Sequence, residues 1–324
     1  MVQRTDARAH RELVPCAVMM PRSWWLVTSL LLACARDEGS SHAGETPTPE
    51  PERAAPSEPA EPAHAGEPTT TAGDEGGSSS AGATPDAADA VVEPGDPAPP
   101  QEVELRASDG TVIHGRYYPA MPVTGTPRSL VLLFHQAGSN AGEYEPIAPR
   151  LQALGHAALA IDQRSGGRRF GRDNRTVVGL EGGSTGYSAA YPDLEAALAW
   201  ARTQGAPRVL AWGSSYSAAL VFRLGAEHGD ELAGLLAFSP GEYLGRKGLV
   251  AGWAAEGTMP VFVSSAPGEA EEAGAIAAAA GERAVQHVPA KGVHGSSMLR
   301  PDRNPGGHEA IWAAVEAFLR RVAP

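Results

Sequence analysis

The run of residues 208–223, RVLAWGSSYSAALVFR, admits few local structures. Val209, Leu210, Ala211 and Trp212 are apolar without a break, Gly213 to Ser217 form a turn rich in small residues, and an apolar-periodic segment starts at once afterwards. The pattern reads as strand, sharp turn, helix. In such a turn the middle residue, Ser215, takes a strained backbone conformation, and small residues two places before and after let strand and helix pack closely. Ser215 is then expected to stand exposed at the carboxyl end of the strand, with its hydroxyl near the helix N-terminus. A serine-rich strand-to-helix loop without chemistry has the same local look, so the rest of the chain must decide.

The rest is uneven. Of 324 residues, positions 35–101 contain no periodic apolar segment and are made mostly of Pro, Glu, Ala, Thr, Gly and Ser. Such a tract buries too little apolar surface to offset its ordering entropy, and it reads as a disordered linker. It carries fourteen acidic and two basic residues, whereas residues 1–34 have a net +2 and residues 102–324 a net −2, so the chain's −12 belongs to the linker. The remaining 223 residues are nearly neutral, and no basic stripe argues for nucleic acid.

The N-terminal segment reads as an address. Arg22 precedes an apolar run from Trp24 to Ala33, too short for a bilayer that takes roughly 20 residues per crossing. The run suits a signal peptide. It ends Leu31, Leu32, Ala33, Cys34, and LLAC resembles the lipobox of bacterial lipoproteins, in which the Cys is lipidated and becomes the first residue after cleavage. Residues 1–34 are therefore expected to be a signal peptide with lipobox, translation starting at Met19 or Met20. Ala35, not the Asp that retains enteric lipoproteins in the inner membrane, implies an outer-membrane anchor in the bacterial cell envelope. Cys16 and Cys34 are the two cysteines, so disulfides, zinc-thiolate sites and a Cys nucleophile are excluded from residues 102–324.

Within that region strands are expected at 103–106 and 112–118 around a Ser108-Asp109-Gly110 turn, then at 130–134, 157–161, 232–238, 260–263 and 284–288 besides the strand before Ser215. Helices are expected around Ile147, Leu151 and Leu154, around Leu194 to Ala201, after Ser215, at 269–280 and at 309–322. Alternation of this kind builds a mainly parallel sheet covered by helices on both faces. In this order, with FHQAGSN, AIDQRSGG and the GSSYS turn, residues 102–324 resemble the α/β-hydrolase fold without a large cap domain, and look closest to its dienelactone-hydrolase-like and carboxylesterase branches.

A serine hydroxyl becomes a nucleophile when a base removes its proton and a third group orients that base. The resemblance implies the chain order serine, acid, histidine. His294, in KGVHGSSML, stands where the family keeps its catalytic histidine; His287 and His308 read as structural, and His135, His156 and His228 precede or lie too near the elbow. The family's acid is an Asp just past the strand PVFVSSA, and here that position is Glu269, which could equally be a first-turn acid of the following helix. Glu242, after the strand ending at Phe238, is the alternative acid. Oxyanion donors are expected at the N–H of Tyr216 and of Ala137, with Gln136 next, Gln136 standing where the family has Gly. Five arginines, Arg164, Arg168, Arg169, Arg172 and Arg175, either recognise a substrate anion or pair with acids such as Asp162 and Asp173. The resemblance implies a lipid-anchored envelope serine hydrolase acting on a small-molecule ester or acyl substrate, joined to the membrane through Cys34, with no metal or organic cofactor. A peptidase of the same fold and an inactive binding module, towards which Ser217, Gln136 and Glu269 each point as departures from the motif, are the alternatives.

Overall fold

The computed structural model of the chain describes residues 97–121 and 127–324. The expected signal peptide, Cys34 and the linker up to residue 96 lie outside the described residues. Two strands, β1 (Gln101–Arg106) and β2 (Val112–Tyr118), pair antiparallel through the Asp109-Gly110 turn, where Gly110 has a φ of 88° that a side chain would strain. The chain then alternates: β3 (Leu130–Phe134), α1 (Ala148–Ala153), β4 (Ala157–Ile161), α2 (Arg175–Val178), α3 (Tyr191–Thr203), β5 (Val209–Ser214), α4 (Tyr216–Glu227), β6 (Gly234–Phe238), α5 (Leu249–Glu256), β7 (Val261–Ser264), α6 (Ala270–Ala279), β8 (Ala284–His287) and α7 (His308–Val322). The sheet order is β1-β2-β4-β3-β5-β6-β7-β8, with β2 antiparallel to both neighbours and every other pairing parallel. The helix α5 was not expected. Its sequence, LVAGWAAE, has Gly252 in the middle and no clear apolar face, and its first turn is stabilised from elsewhere, as described below.

Both faces of the sheet are covered, which is why β3 is apolar at every position. Leu130, Leu132 and Phe134 point into a core shared with α3, α4, α5 and α6, while Val131 and Leu133 point into a second core shared with α1 and α7. On that second face Trp212 stacks on Phe238 with centroids 4.7 Å apart and lies against Trp312 of α7. The helix α7 buries Ile311, Trp312, Val315, Phe318 and Leu319, the spacing of a helix with one apolar stripe. Burial of side chains of this size contributes about 1.5–3 kcal/mol each, so α7 holds its face of the sheet by packing rather than by propensity.

Arg164 ties three segments together. Its guanidinium donates to Asp193 Oδ1 at 2.7 and 2.9 Å and pairs with Asp109 in the β1–β2 turn, while its backbone N–H donates to Asp193 Oδ2 at 2.8 Å. Asp193 is buried in the first turn of α3, so the pair anchors that helix to the loop after β4. Asp193→Ala leaves a nearly buried guanidinium without its main partner, and loss of such a partner costs about 3–5 kcal/mol. The expected outcome is a lower denaturation midpoint at unchanged slope in guanidinium chloride; an unchanged midpoint would show the pair to be energetically idle.

Candidate active site

The carboxyl ends of β3, β5, β6, β7 and β8 lie along one edge of the sheet, and each opens into a loop that supplies part of one site. The elbow after β5 comes first. Ser215 has φ 59° and ψ −123°, the strained conformation expected of it, and its N–H donates to Phe238 O at 2.8 Å. A Cβ on Gly213 would lie 2.4 Å from Ser217 O, so only glycine fits there. Ser217 is tolerated because its hydroxyl donates to His135 O at 2.6 Å and accepts from Gln163 Nε2 at 3.0 Å. Ser217 stands where the α/β-hydrolase elbow motif GxSxG has its final Gly, and these bonds leave the turn intact.

Ser215 is only 2% exposed, where an exposed serine was expected. The reason is tertiary: the loops after β6 and β8 close over the elbow. Tyr243, beside Ser215, donates its hydroxyl to Ser239 O at 3.1 Å. Gly295 packs so tightly on Ser214 that a Cβ there would lie 2.4 Å from Ser214 Oγ.

That contact sets His294, the neighbour of Gly295, next to the elbow. His294 Nδ1 lies 2.6 Å from Glu269 Oε1, each side chain 31% exposed. The other oxygen, Oε2, accepts from Ser239 Oγ at 2.6 Å and from Ala266 N–H at 3.2 Å. Burial pushes the Glu269 carboxyl upward, but hydrogen bonds from His294 and Ser239 outweigh it and hold the group below its ordinary value. An ionised carboxylate at Nδ1 keeps the neutral ring's proton on Nδ1, so Nε2 carries the basic lone pair. Ser239 was missed at the sequence level. It has a φ of 52°, rare for a serine, and its Oγ also accepts from Gly295 N–H at 2.9 Å, joining the acid loop to the histidine loop. Its one local signal is a small polar residue at the end of a strand that neighbours the elbow strand.

The other candidates lie elsewhere. Glu242 accepts from Val250 N–H at 2.9 Å and Ala251 N–H at 3.0 Å, capping the N-terminus of α5 rather than meeting His294. His287 sits on β8 against Phe262, and His308 Nδ1 lies 2.9 Å from Asn304 O at the start of α7. His135 is fully buried: Nδ1 lies 2.8 Å from Gln136 O, and Nε2 accepts from Gln163 N–H at 2.9 Å. His156 bonds Ser129 Oγ at 2.9 Å, and His228 lies 3.3 Å from Glu195.

Of the three expected backbone donors, one is engaged within the fold and two are not. Gln136 N–H is taken by Glu143 Oε2 at 2.9 Å, which removes it as an oxyanion donor. Ala137 N–H and Tyr216 N–H have no acceptor among the described residues. The arginine loop pairs mainly with acids: Arg168 with Asp173 at 3.0 Å, Arg172 with Glu145 at 2.9 Å and Arg175 with Glu102 at 2.6 Å. Asp162, expected among their partners, instead accepts backbone N–H groups of Ala141 and Arg175. Ligand atoms of Glu195, Glu227 and His228 lie within 4.8 Å of one another, but this group is at the far end of α4 from Ser215, and Glu227 is already engaged by Arg223 and Tyr191.

Residues 125–291 match the family model described as serine aminopeptidase, S33. No curated protein matches the chain at a significant level. Among solved structures, an esterase of Pyrococcus furiosus superposes with a TM-score of 0.53 at 17% identity, covering 69% of this chain and 91% of its own. A carboxyl esterase of Bacillus coagulans gives 0.55 at 12% identity, covering 70% and 100%. An acylaminoacyl peptidase of Pyrococcus horikoshii gives 0.51 at 12% identity, covering 69% and 41%. At these identities the solved structures establish the fold alone; the family match, over half of the chain, goes further. The chain is a serine hydrolase of the α/β-hydrolase superfamily and belongs to the serine aminopeptidase S33 family.

Proposed function

We propose that this chain hydrolyses carboxylic esters through Ser215, His294 and Glu269, with the N–H groups of Ala137 and Tyr216 as oxyanion donors. The observation that carries the reading is the 2.6 Å contact between His294 Nδ1 and an ionised Glu269, built on the loop packed against a strained serine elbow. Ser215 Oγ attacks the ester carbonyl carbon while His294 Nε2 accepts the hydroxyl proton. The carbonyl oxygen becomes an oxyanion, stabilised by the two N–H donors already in place. Collapse breaks the bond to the leaving oxygen, and His294 returns the proton to it, releasing an alcohol and leaving an acyl-Ser215 ester. Water, deprotonated by His294, then repeats the sequence and frees the acid. Glu269 keeps the imidazole in the right tautomer and stabilises its positive charge, the part an Asp plays in most such triads.

The esterases among the similar structures favour an oxygen leaving group, whereas the serine aminopeptidase family and the acylaminoacyl peptidase favour a peptide bond. An amide differs only in the leaving atom that His294 must protonate. The two are separated by comparing p-nitrophenyl esters with aminoacyl p-nitroanilides. The expected outcome is faster turnover of the ester, irreversible labelling by a fluorophosphonate, and loss of kcat by about 10⁴-fold or more in Ser215→Ala. Anilides turned over faster than esters would replace the ester reading by the peptidase one, and a folded protein that resists the probe would remove both.

The choice of acid yields a paired expectation. Glu269→Ala lowers kcat by about 10⁴-fold, as loss of the orienting acid does elsewhere. Glu242→Ala costs about 1 kcal/mol as a lost helix cap, visible as a lower Tm, with kcat nearly unchanged. The reverse pattern would transfer the role to Glu242.

We also propose lipid attachment at Cys34 and residence in the bacterial cell envelope, on the outer membrane; the expected linker ends before residue 101, because Gln101 opens β1 and Ala98 O accepts from Gln152 Nε2 at 3.0 Å. Support comes from the LLAC sequence at the end of an apolar run. Among the described residues no helix is long and apolar enough to cross a membrane. Labelled palmitate is expected to enter the wild-type chain expressed in bacteria and not Cys34→Ser; equal labelling of both would refute the anchor.

A further inference from the structure

A second carboxylate lies behind the site. Glu143 belongs to a 3-10 turn, Ala141–Tyr144, that follows the loop after β3, and it is fully buried. A buried carboxylate costs several kcal/mol unless its lone pairs are filled. These are filled from two directions: Oε2 accepts Gln136 N–H at 2.9 Å, and Oε1 accepts Ser214 Oγ–H at 2.8 Å and Gln136 Nε2 at 3.2 Å. The chain of bonds continues outward. Ser214 Oγ accepts from Ser296 N–H at 2.8 Å, and Gln136 Nε2 also donates to Ser297 Oγ at 3.1 Å. One side chain thus joins the loop of the oxyanion donor, the residue before the nucleophile and the two residues that follow Gly295 in the histidine loop.

The geometry has a direct consequence for Ala137. Gln136 is gripped at both ends, its N–H by Glu143 and its C=O by His135 Nδ1 at 2.8 Å and Ser139 N–H at 3.2 Å. A trans peptide is planar, so a fixed Gln136 carbonyl directs the Ala137 N–H the opposite way. Only an acceptor-only group can serve all three donors at once, which is the property of a carboxylate and not of an amide.

We propose that Glu143 is a positioning residue of the hydrolytic centre, aligning the Ala137 N–H with the developing oxyanion and, through Ser214, holding the nucleophile elbow in register with the His294 loop. This rests on the roles given above to Ser215, His294 and Ala137. The Gln side chain nearly matches Glu in shape but sets an NH₂ group against either Gln136 N–H or the Ser214–Gln136 Nε2 pair.

The test uses the full chain and measures ester kinetics, fluorophosphonate labelling rate and thermal melting for wild type, Glu143→Gln and Ser214→Ala. A misplaced oxyanion donor lowers kcat by about 10- to 100-fold. Glu143→Gln is expected to show that loss with KM nearly unchanged, a parallel fall in labelling rate, and full titration of the folded protein by prolonged labelling. Ser214→Ala, which leaves the Gln136 contact in place, is expected to lose less of kcat in the same KM-independent way. A folded Glu143→Gln with wild-type kcat, or a loss explained by a smaller labelled fraction, overturns the proposal. Should Glu143→Gln fail to fold, wild-type kcat in Ser214→Ala overturns it. A wild-type chain that is folded but never labelled instead defeats the hydrolase mechanism beneath it.

Discussion

The site depends on a single backbone constraint, the conformation of Ser215. Holding a serine at φ 59° costs on the order of 1–3 kcal/mol, and it persists only where the surroundings over-determine it. Here they do so from four sides. Gly213 lets α4 approach β5 so closely that a methyl group would collide with Ser217, Ser215 N–H is clamped to Phe238 O, Ser217 is bonded to His135 O, and Gly295 presses on Ser214. The strain turns the serine out of the sheet towards the loops, and all other parts of the site are arranged around that direction.

The acid shows how a substitution within a motif is absorbed. Glu reaches one methylene further than Asp and has one more rotatable bond to immobilise. Glu269 stands at the end of a short 3-10 turn, Pro267–Glu269, and folds back so that Oε2 meets Ala266 N–H and Ser239 Oγ while Oε1 meets His294. Those bonds outweigh the cost of partial burial and keep the group ionised. Ser239 is the joint of this arrangement, because it donates to the acid and accepts from the backbone next to the histidine. Gln136, the other departure, has its own place: its side chain adds to the backbone N–H a second donor to Glu143, one that a glycine lacks.

Much of this was legible in the residues. Strands buried on both faces announce themselves as unbroken apolar runs, and β3, β4 and β5 begin within the stretches so read. Ser215 and His294 could be named as candidates because chain order and position relative to strands are properties of the sequence. Glu269 was legible as a position but not as a partner, since a Glu opening a helix has the same local pattern whether it caps, solvates or orients a histidine. Glu242 illustrates the converse, a plausible acid whose carboxylate caps α5, a helix with no periodic signature of its own. The arginine loop was ambiguous for the same reason: apart from Asp173, its pairing partners, among them Glu102, Glu145 and Asp193, are tens of residues away.

By itself the sequence determined the order of elements and the class of fold, and it marked the positions of a candidate nucleophile, base and acid, because periodicity, small-residue turns and chain order are local quantities. The tertiary structure alone decided which carboxylate meets His294, that Gln136 N–H is spent on Glu143 while Ala137 N–H is not, and that Ser239 and Glu143 each bond two of the loops around Ser215. Those outcomes turn on hydrogen bonds between loops separated by up to 161 residues. Such bonds form only when five strands end along one edge of a sheet and bring their loops within about 3 Å of one another.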